Sequence, residues 1–166
     1  MMKKQRGMGM IEILMAVLIT AIGLIGITGM QAVSLKNNLS ALNRSNAIFL
    51  TGTMMDRIRA NPTADFTTTF DEGPQVALDS CATSSVTCTK AAVADLSIAQ
   101  WKCSLGGYQD DAICNGIFPV LPDAQGAITI SGSDYVISIQ WTDRVAYADG
   151  VKTGGQPVSL SSTLRR

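Results

Sequence analysis

Residues 1–30 read MMKKQRGMGM IEILMAVLIT AIGLIGITGM, and this stretch decides the fold. Lys3, Lys4 and Arg6 precede a long apolar run. From Ile13 to Met30 there are 18 consecutive residues without a charge, and the 26 residues from Met8 to Val33 carry one, Glu12. About 20 apolar residues cross a bilayer as a helix, and cations ahead of such a run hold the N-terminus in the cytoplasm. The expected topology is a single pass through the inner membrane, with the rest of the chain in the periplasm of a Gram-negative cell. A carboxylate inside a membrane segment is costly and by default marks a functional contact. The plainer alternative is that Glu12 snorkels at the cytoplasmic interface.

A cleaved secretory signal has an apolar core of roughly 7 to 15 residues followed by an A-x-A-like site; this run is longer and no such site follows. Its helical pattern also continues beyond the membrane. Leu35, Leu39, Leu42, Phe49, Leu50, Met54 and Ile58 recur at helical spacings, and nothing breaks the pattern before Asn61-Pro62, where the missing N–H and the ring clash end a helix. One helix is therefore predicted from about residue 9 to about residue 60, roughly 75 Å at about 1.5 Å per residue. Its first half (8–33) lies in lipid and its second half (34–61) is amphipathic. Gly23, Gly26 and Gly29 repeat every third residue; small residues let helices approach closely in lipid and also loosen a helix.

The segment Arg6-Gly7-Met8-Gly9-Met10-Ile11-Glu12-Ile13-Leu14 resembles the class III leader of type IV pilins and pseudopilins: a short basic peptide, a glycine at the cut, then an apolar run with Glu at the fifth mature position. The resemblance implies that a prepilin peptidase cuts between Gly7 and Met8, removing residues 1–7, and methylates the new N-terminus at Met8, where the family usually carries Phe. It also gives Glu12 a partner, the N-terminal amine of a neighbouring subunit, each charge relieving the other's desolvation. Major pilins usually carry a helix-breaking proline where this chain has Gly23, Gly26 and Gly29. Three further stretches are similar to the minor pilins of the PilV, or type IV pilus modification, subgroup. They are Ile22–Gln31, Asn43–Ala47 and above all Asp56-Arg57-Ile58-Arg59-Ala60-Asn61-Pro62. Cys88–Trp101 resembles that subgroup's short periplasmic helix. Arg57 and Arg59 read as a partner contact or, more plainly, as cations at a helix end near its own carbonyls.

Residues 62–166 read as a periplasmic head. Residues 63–80 form a loop with Phe66 and Phe70 as packing points. Thr89 is an N-cap for a helix over about 90–104, with Ala92, Leu96, Ala99 and Trp101 toward the core, stopped by Gly106-Gly107. A second loop covers 108–126. Strands follow over about 127–131 and 135–141, joined as a hairpin. Ile128 and Ile130 alternate inward on the first, as do Tyr135, Ile137, Ile139 and Trp141 on the second. A third strand over about 157–163 follows a Gly-rich connection. The expected fold is α+β and pilin-like: a long N-terminal helix on a small antiparallel sheet, with a short extra helix and disulfide-tied loops.

The four cysteines, Cys81, Cys88, Cys103 and Cys114, lack the C-x-x-C pairs of zinc or redox sites. In a periplasmic compartment they are read as disulfides. Sequential closure, Cys81 with Cys88 and Cys103 with Cys114, pins both ends of the helix at 90–104; a nested pairing is the alternative. The 166 residues contain no His and only two Glu, at 12 and 72, so the commonest general base and metal ligand are missing. Asp110-Asp111 lacks the spaced carboxylates of a calcium loop. Of the 13 basic residues three precede the apolar run, leaving 10 against 13 acidic ones, which is no footprint for nucleic acid. The sequence therefore predicts no catalysis, metal, cofactor or nucleic-acid partner. The resemblance implies a minor pilin of the type IV pilus that primes assembly near the tip and supports adhesion or twitching motility. Its implied partners are the prepilin peptidase, other minor pilins, the major pilin, the inner-membrane assembly platform and, before assembly, the lipid bilayer. A minor pseudopilin of a type II secretion system and a pilus-tip adhesin, with loops 63–88 and 106–126 as its binding surface, are the alternatives.

Overall fold

An unbroken α-helix, α1, runs from Met10 to Ala60. It belongs in part to each of two compact units, residues 1–40 and 41–166. The computed structural model describes residues 9–78, 81, 88–143 and 156–165. Gly7 and Met8, with the leader, lie outside the described residues.

Within the first unit, every described residue from Gly9 to Leu39 is exposed. The helix is long and apolar enough to cross a membrane. The two hydroxyls that interrupt its apolar run are satisfied inside the helix: Thr20 Oγ1 donates to the carbonyls of Ala16 and Val17, and Thr28 Oγ1 to that of Ile25 at 2.8 Å. A hydroxyl bonded to the preceding turn can enter hydrocarbon without an orphaned donor.

In the second unit the C-terminal part of α1 buries Ala47, Leu50, Thr51, Met54 and Ile58, a narrow stripe at helical spacing. Leu42 and Phe49 remain 55% and 65% exposed. The apolar pattern read along this half of the helix thus belongs to two faces, with only Leu50, Met54 and Ile58 of the periodic residues turned to the core. The Asn61 N–H bonds the Ile58 carbonyl as the helix closes.

A second helix, α2, spans Lys90–Leu105. Thr89 caps it, its side chain accepting from the Ala92 N–H, and Gly106 ends it at φ 90°. That left-handed conformation suits glycine. The buried face of α2 comprises Ala94, Ala99, Trp101, Lys102, Cys103 and Leu105; Ala92 and Leu96 are only partly covered. The predicted face is rotated because a charged residue, Lys102, sits at its centre.

Three antiparallel strands follow in the order β1-β2-β3: Gln125–Ser131, Asp134–Asp143 and Gln156–Arg165. Ser131 opposes Asp134 across a two-residue turn, and Tyr135 opposes both Ile130 and Leu164. Tyr135, Ile137, Ile139 and Trp141 are buried on the core face of β2. Ile128 is buried as the alternation predicts, whereas Ile130 is 43% exposed. It sits at the hairpin end of an edge strand, where among the described residues no further layer covers it. The outer edge of β1 is blunted at one point by the preceding loop: Thr68 and Ile128 exchange backbone hydrogen bonds of 2.9 and 2.8 Å. At Gly126 the helix and sheet approach so closely that a Cβ would overlap the Trp101 ring and Leu105. The core thus lies between α1, α2 and the sheet, with Phe66 supplied by the first loop.

The cysteines are joined as Cys81–Cys88 and Cys103–Cys114. The second bridge is buried, Cys103 and Cys114 being 0% and 1% exposed, and ties the end of α2 to a 3-10 turn over Ala112–Cys114. Its sequence separation is 11, for which loop-closure entropy gives about 3 kcal/mol. Replacing both Cys103 and Cys114 by Ala is expected to lower the unfolding free energy by about that amount, read from a lower urea midpoint with a slope that does not fall, since the denatured chain becomes less compact. A midpoint unaltered by the double substitution would mean that the bridge does not constrain the chain.

Candidate assembly surface

Glu12 lies in the first turn of α1, its N–H bonded to the Gly9 carbonyl at 2.9 Å. A carboxylate there complements the positive end of the helix dipole. Around it Met10, Ile11, Ile13 and Leu14 are between 51% and 85% exposed. Further along, a Cβ at Gly23, Gly26 or Gly29 would meet nothing within 4 Å, so no contact within the chain requires these glycines. A shallow apolar groove follows, lined by Ile25, Gly26, Gly29, Met30 and Val33 and bordered by Ser34, Asn37 and Asn38.

The segment Asp56–Pro62 does different work. Arg57 Nη1 donates to the Ser97 carbonyl of α2 at 2.9 Å, and its burial lowers the guanidinium pKa from the usual value. The Asn61 side-chain amide donates to the Lys90 carbonyl at 2.7 Å, and Trp101 Nε1 donates to the Leu50 carbonyl at 3.2 Å. Arg59 instead makes an exposed ion pair with Asp56 at 2.8 Å. Arg57 and Asn61 therefore fasten α1 to α2 inside the head. Neither reading made of Arg57 from the sequence included that role, since its acceptor is a mid-helix carbonyl 40 residues away.

Lys102 was not singled out from the sequence. It is fully buried; its ammonium donates to the carbonyls of Thr69 and Glu72 and lies 5.0 Å from the centre of the Tyr108 ring. The Tyr108 hydroxyl donates to the Phe70 carbonyl at 2.6 Å. Glu72 Oε2 accepts from Thr68 Oγ1 at 3.1 Å and the Thr69 N–H at 3.3 Å. Two side chains at the end of α2 thus hold three carbonyls of the loop at 69–72. Burial pushes the Lys102 pKa down to about 8, against the raising influence of Glu72 and Asp71. Burial likewise raises that of Tyr108. A basic residue at helical spacing carries no mark in the sequence that it will turn inward.

Asp111 caps the 3-10 turn, its carboxylate accepting the Ile113 N–H at 2.9 Å. Among the described residues no three His, Cys, Asp or Glu side chains gather as a metal site.

Residues 2–28 match the prokaryotic N-terminal methylation motif, and residues 29–99 match the family described as Type IV pilin Tt1218. The chain belongs to the type IV pilins. Neither a curated protein nor a solved structure matches it. This pilin carries a class III leader and the membrane anchor that goes with it. Its family is structural rather than enzymatic. The leader implies processing by a prepilin peptidase and assembly with other pilins.

Proposed function

We propose that this pilin is a minor subunit of the PilV type, cut between Gly7 and Met8 and methylated at Met8. It waits in the inner membrane with its head in the periplasm, then enters a type IV pilus near the tip and primes assembly, supporting adhesion or twitching motility. The observation that carries this reading is the N-terminal part of α1: from Met10 to Val33 it is apolar with one charge, Glu12, and every side chain in it is exposed. Before assembly lipid covers that surface, and afterwards the helices of other subunits do. In such a bundle Glu12 meets the N-terminal amine of a neighbour, and Gly23, Gly26 and Gly29 admit close helix contact. The resemblance of Asp56–Pro62 to the PilV subgroup supports the minor role.

Deleting the gene and scoring three phenotypes tests the proposal. Loss of surface pili is the expected result. Normal pili with failed enzyme secretion would instead make the protein a pseudopilin of a type II system. Normal pili that no longer adhere would make it an adhesin.

A further inference from the structure

The loop at 115–122 reads NGIFPVLP and is held at both ends and in the middle. The Cys103–Cys114 bridge precedes it, the Ile117 N–H bonds the Cys114 carbonyl at 3.0 Å, and the Val120 N–H bonds the Ser104 carbonyl at 2.9 Å. Leu121 is buried and Ile117 packs against the core. Between these anchors Phe118 is 90% exposed, and Val120 is 41% exposed. A phenylalanine left in water on a loose loop can fold back onto the protein; on a fastened loop it stays presented. A large, ordered aromatic side chain is what an interface anchor needs, because little entropy is lost when it docks.

The place at which the loop is fastened indicates what covers it. The Asn46 side-chain amide of α1 donates to the Val120 carbonyl at 3.2 Å. On the helix surface Asn46 has Leu42 and Phe49 as its neighbours one turn away on either side, and these are 55% and 65% exposed. The loop therefore adjoins the apolar flank of α1 that faces away from Ala47, Leu50 and Met54. A pilin assembles with other pilins, and α1 exposes large apolar side chains, Leu42 and Phe49 among them. We propose that Phe118 is a docking knob that seats against another pilin subunit, the same neighbour that covers Leu42 and Phe49. This rests on the reading of the chain as a filament subunit and adds a contact from the head.

A benzoylphenylalanine in place of Phe118, irradiated in piliated cells, is expected to yield an adduct with a second pilin, identified by mass spectrometry. Phe118→Ser is expected to lower the amount of the chain in sheared pili roughly tenfold, the scale of losing one buried aromatic side chain. Its membrane level and both disulfides should be unchanged, since Phe118 is 90% exposed. Phe118→Leu, which keeps an apolar knob, should retain most of the incorporation. Normal incorporation of Phe118→Ser with no pilin adduct would overturn the proposal. So would normal incorporation with lost adherence, which assigns the loop to an external surface. Absence of the wild-type chain from pili would overturn the filament reading as well, whereas its presence alongside inert Phe118 variants removes the docking contact alone.

Discussion

Glu12→Ala is expected to be processed and inserted normally, to keep the head folded, and to be missing from sheared pili. The substitution removes a charge that opposes membrane insertion, so the level in the membrane should not fall. The head lies in a different compact unit from Glu12, and its disulfides and thermal transition should match those of the wild type. Docking is the step that suffers. With the carboxylate gone, the amine of the neighbouring subunit would be left in a poorly solvating bundle, a loss of about 3 to 5 kcal/mol per contact. At the middle of that range incorporation falls by well over tenfold. Glu12→Asp keeps the charge with a shorter reach and should fall between. Pili that contain Glu12→Ala at the wild-type level would show that the carboxylate only snorkels at the membrane surface.

The second large effect is expected at Lys102. Lys102→Ala removes the donor from two part-buried hydrogen bonds, to the carbonyls of Thr69 and Glu72, and opens a cavity where the buried side chain lay. Each acceptor that loses its donor costs about 1 kcal/mol, the lower end of the range, because both residues are exposed to water. The lost packing adds to this and relief of the buried charge subtracts, for a net loss of about 4 kcal/mol. In a head of this size that is a fall in Tm on the order of 15 °C, measurable on the full chain in detergent. The loop at 69–72 should become sensitive to protease first. An unaltered Tm would mean that the loop does not depend on Lys102.

The same residue sets a pH dependence whose sign follows from its lowered pKa. Folded Lys102 loses its proton near pH 8, but the unfolded chain keeps its own to about 10.5. Between those values the unfolded state binds more protons, so stability rises with pH. Below pH 8 both states are charged and this contribution is flat. The groups that face the ammonium are Glu72, Asp71 and Tyr108. Tyr108, raised above its usual 10.0, acts in the opposite direction at higher pH, because the unfolded tyrosine ionises first. The expected rise in Tm is therefore confined to pH 8–10 and should vanish in Lys102→Met. A rise that persists in Lys102→Met would assign it to another group.

Much of this architecture was legible in the sequence, for identifiable reasons. Asn61-Pro62 and the basic leader bracket α1, Thr89 and Gly106 bracket α2, and the alternation of Tyr135, Ile137, Ile139 and Trp141 shows β2 directly. These are local signals, set by the residues' own backbone preferences and periodicity. What could not be read depends on partners distant in sequence. Lys102 turns inward because carbonyls about 30 residues earlier meet it, and Arg57 because Ser97 lies opposite it. Ile130 keeps the period of a buried residue but sits at the hairpin end of an edge strand, 43% exposed. Glu12 stands out for a related reason: it breaks the apolar pattern of residues 8–33, and such a break points to a partner outside the chain, the basis of the assembly surface proposed above.

This chain is proposed to be cut after Gly7 and then built into a pilus. Mass spectrometry of pili sheared from the cell surface tests it most directly. The expected result is a peptide that begins at Met8 and is one methyl group heavier than its sequence, recovered from the fibre with no trace of residues 1–7. A chain that still carries residues 1–7, or one found in the membrane and never in the sheared fibre, would contradict it.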